Sequence, residues 1–396
     1  REPVHAKRTG ISARRSSMTA LLVRKVQNPA GVEAFMAAGK RAQRGNSRWI
    51  EPLRDEMLKV FDKKRSPLML ENEIQPFVAF RDGQPAGRIV AVVNRAHLEK
   101  YRDSCGHFCM IDAIDDRDVF AALLQPAAGL LRTRGLRLMR GPFSLSINHE
   151  AGLLVKGFDQ PHVVRTNHAP PHYGRHIEAL GFRKAMDLFA YVCRIAESDF
   201  PGRVAKTANR LDSAKDIQTH GLSLTRWPTE FSRVLRLYND AWKNNWSSIP
   251  VSNAEARLIA DLTLPVAKPS WIRIAKWRGE DIAVVSQIPD VNEALVGLGG
   301  KLWPSGFARM LWRIHGRGTR MTRIPMIGVA SRWRGTRIGS MAVSLLLAEA
   351  ITKARGAGIE ETEISWILET NRAMLNLVRS LPARHTRTFR IYEREL

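Results

Sequence analysis

The sequence predicts an α/β (α+β) protein built as two similar halves in tandem. Three observations carry this reading. At 396 residues the chain is too long for one ordinary hydrophobic core and suits two domains of ~150–200 residues. Strand and helix patterns recur in the same order in its first and second parts. Turn residues also fall at matching joints, with Arg134-Gly135-Leu136 in the first part and Arg355-Gly356 and Gly358-Ile359 in the second. A shared order of elements with shared joints points to internal duplication.

The elements follow one by one. "MTALLVRKV" starts as a strand, and residues 30–44 place Val32, Phe35 and Met36 at helical spacing. Residues 76–94 hold two β-branched runs about Asp82-Gly83, a strong hairpin signal. A strand (107–115), a helix weakened by Pro126 and Gly129, and a strand from Leu136 come next. A helix end, a Gly181-Phe182 turn and a last strand close the half. The polar stretch 196–225 reads as a connector. Beyond it the order repeats: a helix through "EFSRVLRLYNDAW", a strand pair (270–290), a strand "RIPMIGVAS", a helix (340–355), a strand "ETEISWIL", a helix from Asn371 and a final strand. The expected organisation is a disordered basic leader (1–17), a first domain (18–195), the connector (196–225) and a second domain (226–396).

Composition narrows the function. Lys+Arg number 62 against 38 Asp+Glu, a net charge of +24, which favours phosphorylated ligands, nucleic acid or anionic lipid surfaces. No run of ~18 apolar residues exists. Three cysteines form neither a disulfide framework nor a complete zinc site. The expected location is therefore cytoplasmic, with peripheral contact at an anionic inner-membrane surface. The histidines His162, His168, His172 and His176 lie close together, but Pro170-Pro171 keeps them off one helix and no carboxylate or cysteine completes a ligand set, so no metal is expected. They are read as bordering the substrate cleft.

The chemistry is expected between the strand ending near Val329 and the helix that follows. "Arg334-Gly335-Thr336-Arg337-Ile338-Gly339-Ser340" offers glycines for close approach and the free N–H groups of a helix N-terminus, which together suit a pyrophosphate. This strand–loop–helix resembles the coenzyme A loop of the GNAT superfamily of N-acyltransferases, Arg/Gln-x-x-Gly-x-Gly/Ala. Arg334 takes the first position, Gly339 the last, and Arg337 stands in place of the middle glycine. Further stretches (141–159, 238–246, 288–295, 365–371 and the C-terminal "RIYEREL") are similar to a bacterial double-GNAT group that includes ceramide synthase-like proteins. The resemblance implies two tandem GNAT-like domains, each a mixed, mainly antiparallel twisted sheet flanked by helices. It also implies acyl-CoA or acetyl-CoA as donor co-substrate. The first half carries Asp112, Asp115, Asp116 and Asp118 where a phosphate loop belongs, so it is expected to be a degenerate copy.

The resemblance further implies backbone contacts to the donor from Gly328, Val329 and Ala330, and an asparagine at Asn371. Val378 replaces the family's thiolate-protonating tyrosine, leaving another donor, water or Tyr392. Glu369 is the first candidate for the base, with Glu293, Asp290 and Glu150 as rivals. Asn239 and Asn292 are candidates for orienting substrate, and Trp242, Trp246 and Trp366 for lining an acyl channel. The function expected is transfer of an acyl group from a CoA thioester to a primary amine, most specifically a long-chain amino base. Acetylation of a small amine or peptide is the alternative. Of other classes, a CoA-binding pseudoenzyme and a nucleic-acid binder were weighed. For the latter, neither aromatic stacking platforms interleaved with basic strands nor a helix–turn–helix is found. Oligomeric state is not legible.

Overall fold

A computed structural model describes residues 20–263 and 268–396; the leader expected over 1–17 lies outside them. Alternating apolar runs form fourteen strands. In the first half these are β1 (Leu21–Lys25), β2 (Glu73–Arg81), β3 (Gln84–Val93), β4 (Cys105–Ala113), β5 (Leu138–Ser144), β6 (Ser146–Ala151), β7 (Leu153–Lys156) and β8 (Arg183–Arg194). In the second they are β9 (Ile217–Gly221), β10 (Ile272–Trp277), β11 (Glu280–Pro289), β12 (Met321–Val329), β13 (Glu361–Leu368) and β14 (Ala383–Glu395). The hairpin expected at Asp82-Gly83 turns there, with both residues at positive φ (54° and 76°), and the second half repeats it at Arg278-Gly279 (48° and 82°). The helix Arg117–Thr133 runs unbroken through Pro126 and Gly129, because its buried face of Val119, Phe120, Leu123, Leu124 and Leu131 outweighs the weak propensity. The stretch expected as a connector holds the helix Phe200–Asn209 and edge strand β9.

All strands join one sheet, ordered β1-β2-β3-β4-β5-β14-β8-β13-β12-β11-β10-β9, with β6 on β5 and β7 on β14. The two halves exchange their last strands: β14 lies beside β5 of the first half, and β8 beside β13 of the second. In each half one parallel pair, β4/β5 and β12/β13, interrupts the antiparallel order. Two large cores result, one built on the first half and one on the second.

Where the halves meet, charge is buried. Arg323 and Arg387 are each 2% exposed or less, as is Glu363. Arg387 pairs with Glu363, and Arg323 donates to the Ser365 Oγ at 2.9 Å, whose hydroxyl donates to Glu363 at 2.6 Å. Both guanidinium groups then reach back into the first half. Arg323 holds the carbonyls of Val164 and Arg165 (3.1 and 2.6 Å), and Arg387 holds the carbonyl of Pro161 and the Thr166 hydroxyl (3.0 and 3.2 Å). Removing one partner of such a group strands the others. Glu363→Gln is therefore expected to lower the unfolding free energy by ~3–5 kcal/mol, read from urea denaturation; a loss under ~1 kcal/mol would mean that the network does not join the halves.

Candidate active site

The loop after β12 is built for an anion. The helix Arg337–Gly356 starts with Thr336 as its N-cap, whose Oγ1 accepts from Gly339 N at 3.0 Å. Among the described residues the N–H groups of Gly335, Arg337 and Ile338 take no protein partner, and Gly335 sits at φ 76° with nothing within 4 Å of a notional Cβ. Arg332, Arg334 and Arg337 are exposed around it. Gly339, expected to face phosphate, has a packing role instead: its Cβ would fall 2.2 Å from the Trp333 carbonyl, and its N–H is taken by the cap. Arg334 donates to the Ala241 carbonyl, and Ser340 is exposed on the first turn. These residues fit the pyrophosphate of coenzyme A, which Gly335, Arg337 and Ile338 would hold by backbone N–H.

Pairing of β12 with β13 runs from Met321↔Glu361 to Ile324↔Ile364, and the strands diverge beyond. There β12 bulges: Met326 faces Ser286 and Arg323 faces Ile288, so Ile324 and Pro325 oppose Gln287 alone. The free N–H groups expected at Gly328, Val329 and Ala330 are not all available. Ala330 N donates to the Ile282 carbonyl at 2.8 Å, while Gly328 and Val329 stay in register with β11. The break in the ladder lies upstream of them, at the bulge. Trp242, on the helix Trp227–Trp242, packs against β12, since a Cβ at Gly328 would be 2.4 Å from its ring.

Most of the candidate polar side chains are engaged. Glu369 accepts from Lys184 Nζ (2.7 Å) and Asp187 N (3.1 Å). Glu293 accepts from Arg320 N and Met321 N (2.9 and 2.8 Å), and burial pushes its carboxyl up. Asn239 clamps Val251 through its N–H and carbonyl, and Asn371 caps the helix Arg372–Arg379. Tyr392 donates to Glu178 at 2.8 Å beside the helix His172–Ala179. Its strand β14 is three strands from β12, so strand exchange carries it to the first half and away from the donor loop. Trp246 and Trp366 pack on the first-half core, and Val378 is fully buried.

Three candidates converge on a second place, a cavity of about 430 Å³ between the halves. It opens where β4 and β5 part, at Met110–Asp112 and Pro142–Ser144, and reaches Ile288–Asn292 at the end of β11. Glu150 lines it, accepting from Ser144 Oγ at 3.0 Å, and burial holds its carboxyl above the usual range. Asn292 lines it too, donating to the His162 carbonyl at 2.8 Å. Asp290 lies just behind, accepting from Val164 N (2.8 Å) and Asn292 N (3.2 Å). Of the four histidines, His162 and His168 line this cavity while His172 and His176 pack against Phe120 at the end of the first-half sheet. Burial lowers His162 to about 3, and its ring donates to the Thr166 carbonyl and accepts from Ile50 N.

Sequence reasoning passed over the group beside Glu150. His149 lines the cavity and places Nε2 3.1 Å from Glu255 Oε1. Asn148 reaches the other Glu255 oxygen at 3.5 Å and accepts from the Tyr238 hydroxyl at 3.2 Å. Tyr238 stacks on Trp242, with centroids 4.7 Å apart. A line of contacts thus runs from the cavity through His149, Glu255, Asn148, Tyr238 and Trp242 to β12. The signal was present as a histidine directly before the singled-out glutamate, but its partner comes from the other half, 106 positions away. A separate group, His97, Cys105 and His107, has ligand atoms within 4.8 Å of one another and lies in the first-half sheet.

The exchanged double sheet and the loop at helix Arg337–Gly356 define the tandem GNAT fold. Two solved structures share it over 95% of this chain: a tandem GNAT protein from the clavulanic acid biosynthesis pathway (TM-score 0.54, 12% identity, 98% of that chain) and a GCN5-related N-acetyltransferase from Sphaerobacter thermophilus (0.52, 11%, 95%). Over 380 residues, 95% of the chain, it is 35% identical to the bacterial ceramide synthase of Caulobacter vibrioides, covering 98% of it. It is 34% identical over 380 residues to protein YghO of Escherichia coli K12, covering 95% of it. The chain belongs to the family of these two proteins. No family model matches it.

Two predictions follow from this geometry. Asp290 is pushed up to about 7, chiefly by burial, against ~3.9 in an unfolded chain. A raised carboxyl takes up a proton on folding, so its contribution to stability is full below pH ~4 and is lost as pH rises through about 7. Asp290→Asn, which keeps the acceptor oxygen, should gain stability relative to wild type between those limits, measured by thermal melts across pH; parallel curves would refute the shift. Arg337→Glu, at an exposed first helical position, should weaken CoA binding by ~10-fold or more in calorimetry with an unchanged melting temperature. Equal affinity would remove this loop from donor binding.

Proposed function

We propose that the protein is an N-acyltransferase that takes its acyl group from a coenzyme A thioester held at the loop before helix Arg337–Gly356. The acceptor is a primary amine entering from the cavity between the halves. A long-chain amino base is the acceptor class best supported, since the cavity is within the size range of small-molecule sites and has many apolar walls, among them Leu53, Met57, Phe143 and Leu295. The name of the Caulobacter relative agrees with that class.

The amine reaches the site as an ammonium and must lose a proton before its nitrogen can attack. His149, oriented through Nε2 by Glu255, has Nδ1 free of protein partners among the described residues and accepts that proton. Glu150 sits beside it in the same wall, where a carboxyl oxygen can accept a hydrogen bond from the ammonium. Coenzyme A supplies the activated thioester. As the amide C–N bond forms and the C–S bond breaks, the departing sulfur takes a proton from an acid, and the second proton shed by the nitrogen restores that acid. Tyr238 supports this role better than Tyr392 because its stacking on Trp242 sets it near β12.

The observation that carries the reading is the His149–Glu255 pair, set between cavity and β12. Thiol release should be followed with acetyl- through palmitoyl-CoA and both long-chain and short amines. Release with long-chain amines is expected, and His149→Gln should cut turnover ~10²–10⁴-fold while sparing CoA affinity. Undiminished turnover would move the base elsewhere, and no release with any amine would end the enzymatic reading.

A further inference from the structure

Six large apolar side chains are well exposed among the described residues: Leu22, Leu70, Val296, Trp303, Phe307 and Trp312. Four of these come from the single excursion between β11 and β12, with Trp303 79% and Trp312 64% exposed. The excursion does not need them for its own packing. Its inner side is a small core of Ala294, Met310 and Ile314, and Arg54 N fastens it to the first half by donating to the Gly300 carbonyl at 2.9 Å. Arg313 steadies it further through the carbonyls of Ala294 and Val296. Trp303 stands in the turn before the continuous helical stretch 306–317, which carries Phe307 and Trp312. Large apolar groups displayed this way mark a contact surface.

Charge says what the surface meets. Residues 294–318 contain no Asp or Glu, but include Lys301, Arg309, Arg313 and Arg317. Lys301, Arg309 and Arg317 have no carboxylate partner among the described residues. Exposed tryptophans with unpaired cations between them suit the boundary of an anionic bilayer, where indole rings settle at headgroup depth and each cation meets a phosphate. A second copy of the chain would instead set these cations against their own equivalents across a twofold axis.

We propose that this excursion docks the protein on an anionic lipid bilayer, with Trp303 and Trp312 inserted. Phe307 stands both on this surface and in the wall of the cavity, with Leu302 and Met310 beside it. An amine with a long tail can therefore pass from bilayer to cavity without crossing water. This passage rests on the reading of the cavity as the acceptor site, whereas docking does not.

The test is co-sedimentation of the full chain with vesicles of phosphatidylglycerol and phosphatidylcholine, or of phosphatidylcholine alone. Binding to the anionic vesicles only is expected. The double substitution Trp303→Ser/Trp312→Ser should weaken it ~10-fold or more, and Arg309→Glu/Arg317→Glu should do the same and reduce its salt dependence. Thiol release with a detergent-solubilised long-chain amine is read alongside. It should be the same in the variants as in wild type, which shows that they fold, and its absence in wild type would fail the proposed reaction while leaving docking to be judged from the vesicles. Docking is overturned if variants and wild type bind vesicles alike, or if the tryptophan variant only turns a dimer into a monomer in sedimentation velocity.

Discussion

The molecule depends on two guanidinium groups kept out of water. Arg323 comes from β12 and Arg387 from β14, and one carboxylate, Glu363, lies between them. Burial lowers Arg323 only to about 10, so it stays charged at neutral pH and must find acceptors. It finds them in the carbonyls of residues 164 and 165, and Arg387 finds the carbonyl of Pro161 and the hydroxyl of Thr166. A segment of the first half is thereby fixed against the sheet of the second. That segment carries His162 and Arg165, both cavity walls. The desolvation cost of the arginines is thus offset by bonds that also shape the cavity between the halves.

Strand exchange and this network reinforce each other. With β14 beside β5 and β8 beside β13, neither half completes its sheet alone. The cavity consequently has walls from both halves, and the proposed dyad does too: His149 comes from β6 and Glu255 from the helix Asn253–Thr263.

Local features of this fold were legible in the sequence because they are set by neighbours. Asp82-Gly83 turns a hairpin, and the helix after the loop follows the apolar spacing read from residues 340–355. Gly339 was legible as a required glycine but not for its reason, since the Trp333 carbonyl that excludes a Cβ becomes visible only in three dimensions. Long-range pairing was not legible at all. No pattern in residues 383–395 says which sheet they join, so Tyr392 could not be placed. Glu369 and Glu293 looked free because the Lys184 ammonium and the N–H groups of Arg320 and Met321 that occupy them are distant in sequence or invisible as backbone.

The duplicated halves diverge at one joint, and that explains their division of labour. β4 ends at Ala113 and its helix begins at Arg117, leaving residues 114–116, whereas β12 ends at Val329 and its helix begins at Arg337, leaving residues 330–336. The short joint caps its helix with Asp116, whose carboxylate accepts from Asp118 N and pairs with Arg81, so the positive end of that helix is already answered by the chain's own anion. The long joint caps with a neutral hydroxyl and leaves three N–H groups among arginines. A helix end neutralised from within gains little from a phosphate, while one left positive gains much. In the first half, where the joint is short and its helix end is neutralised from within, the space between β4 and β5 opens into the cavity between the halves.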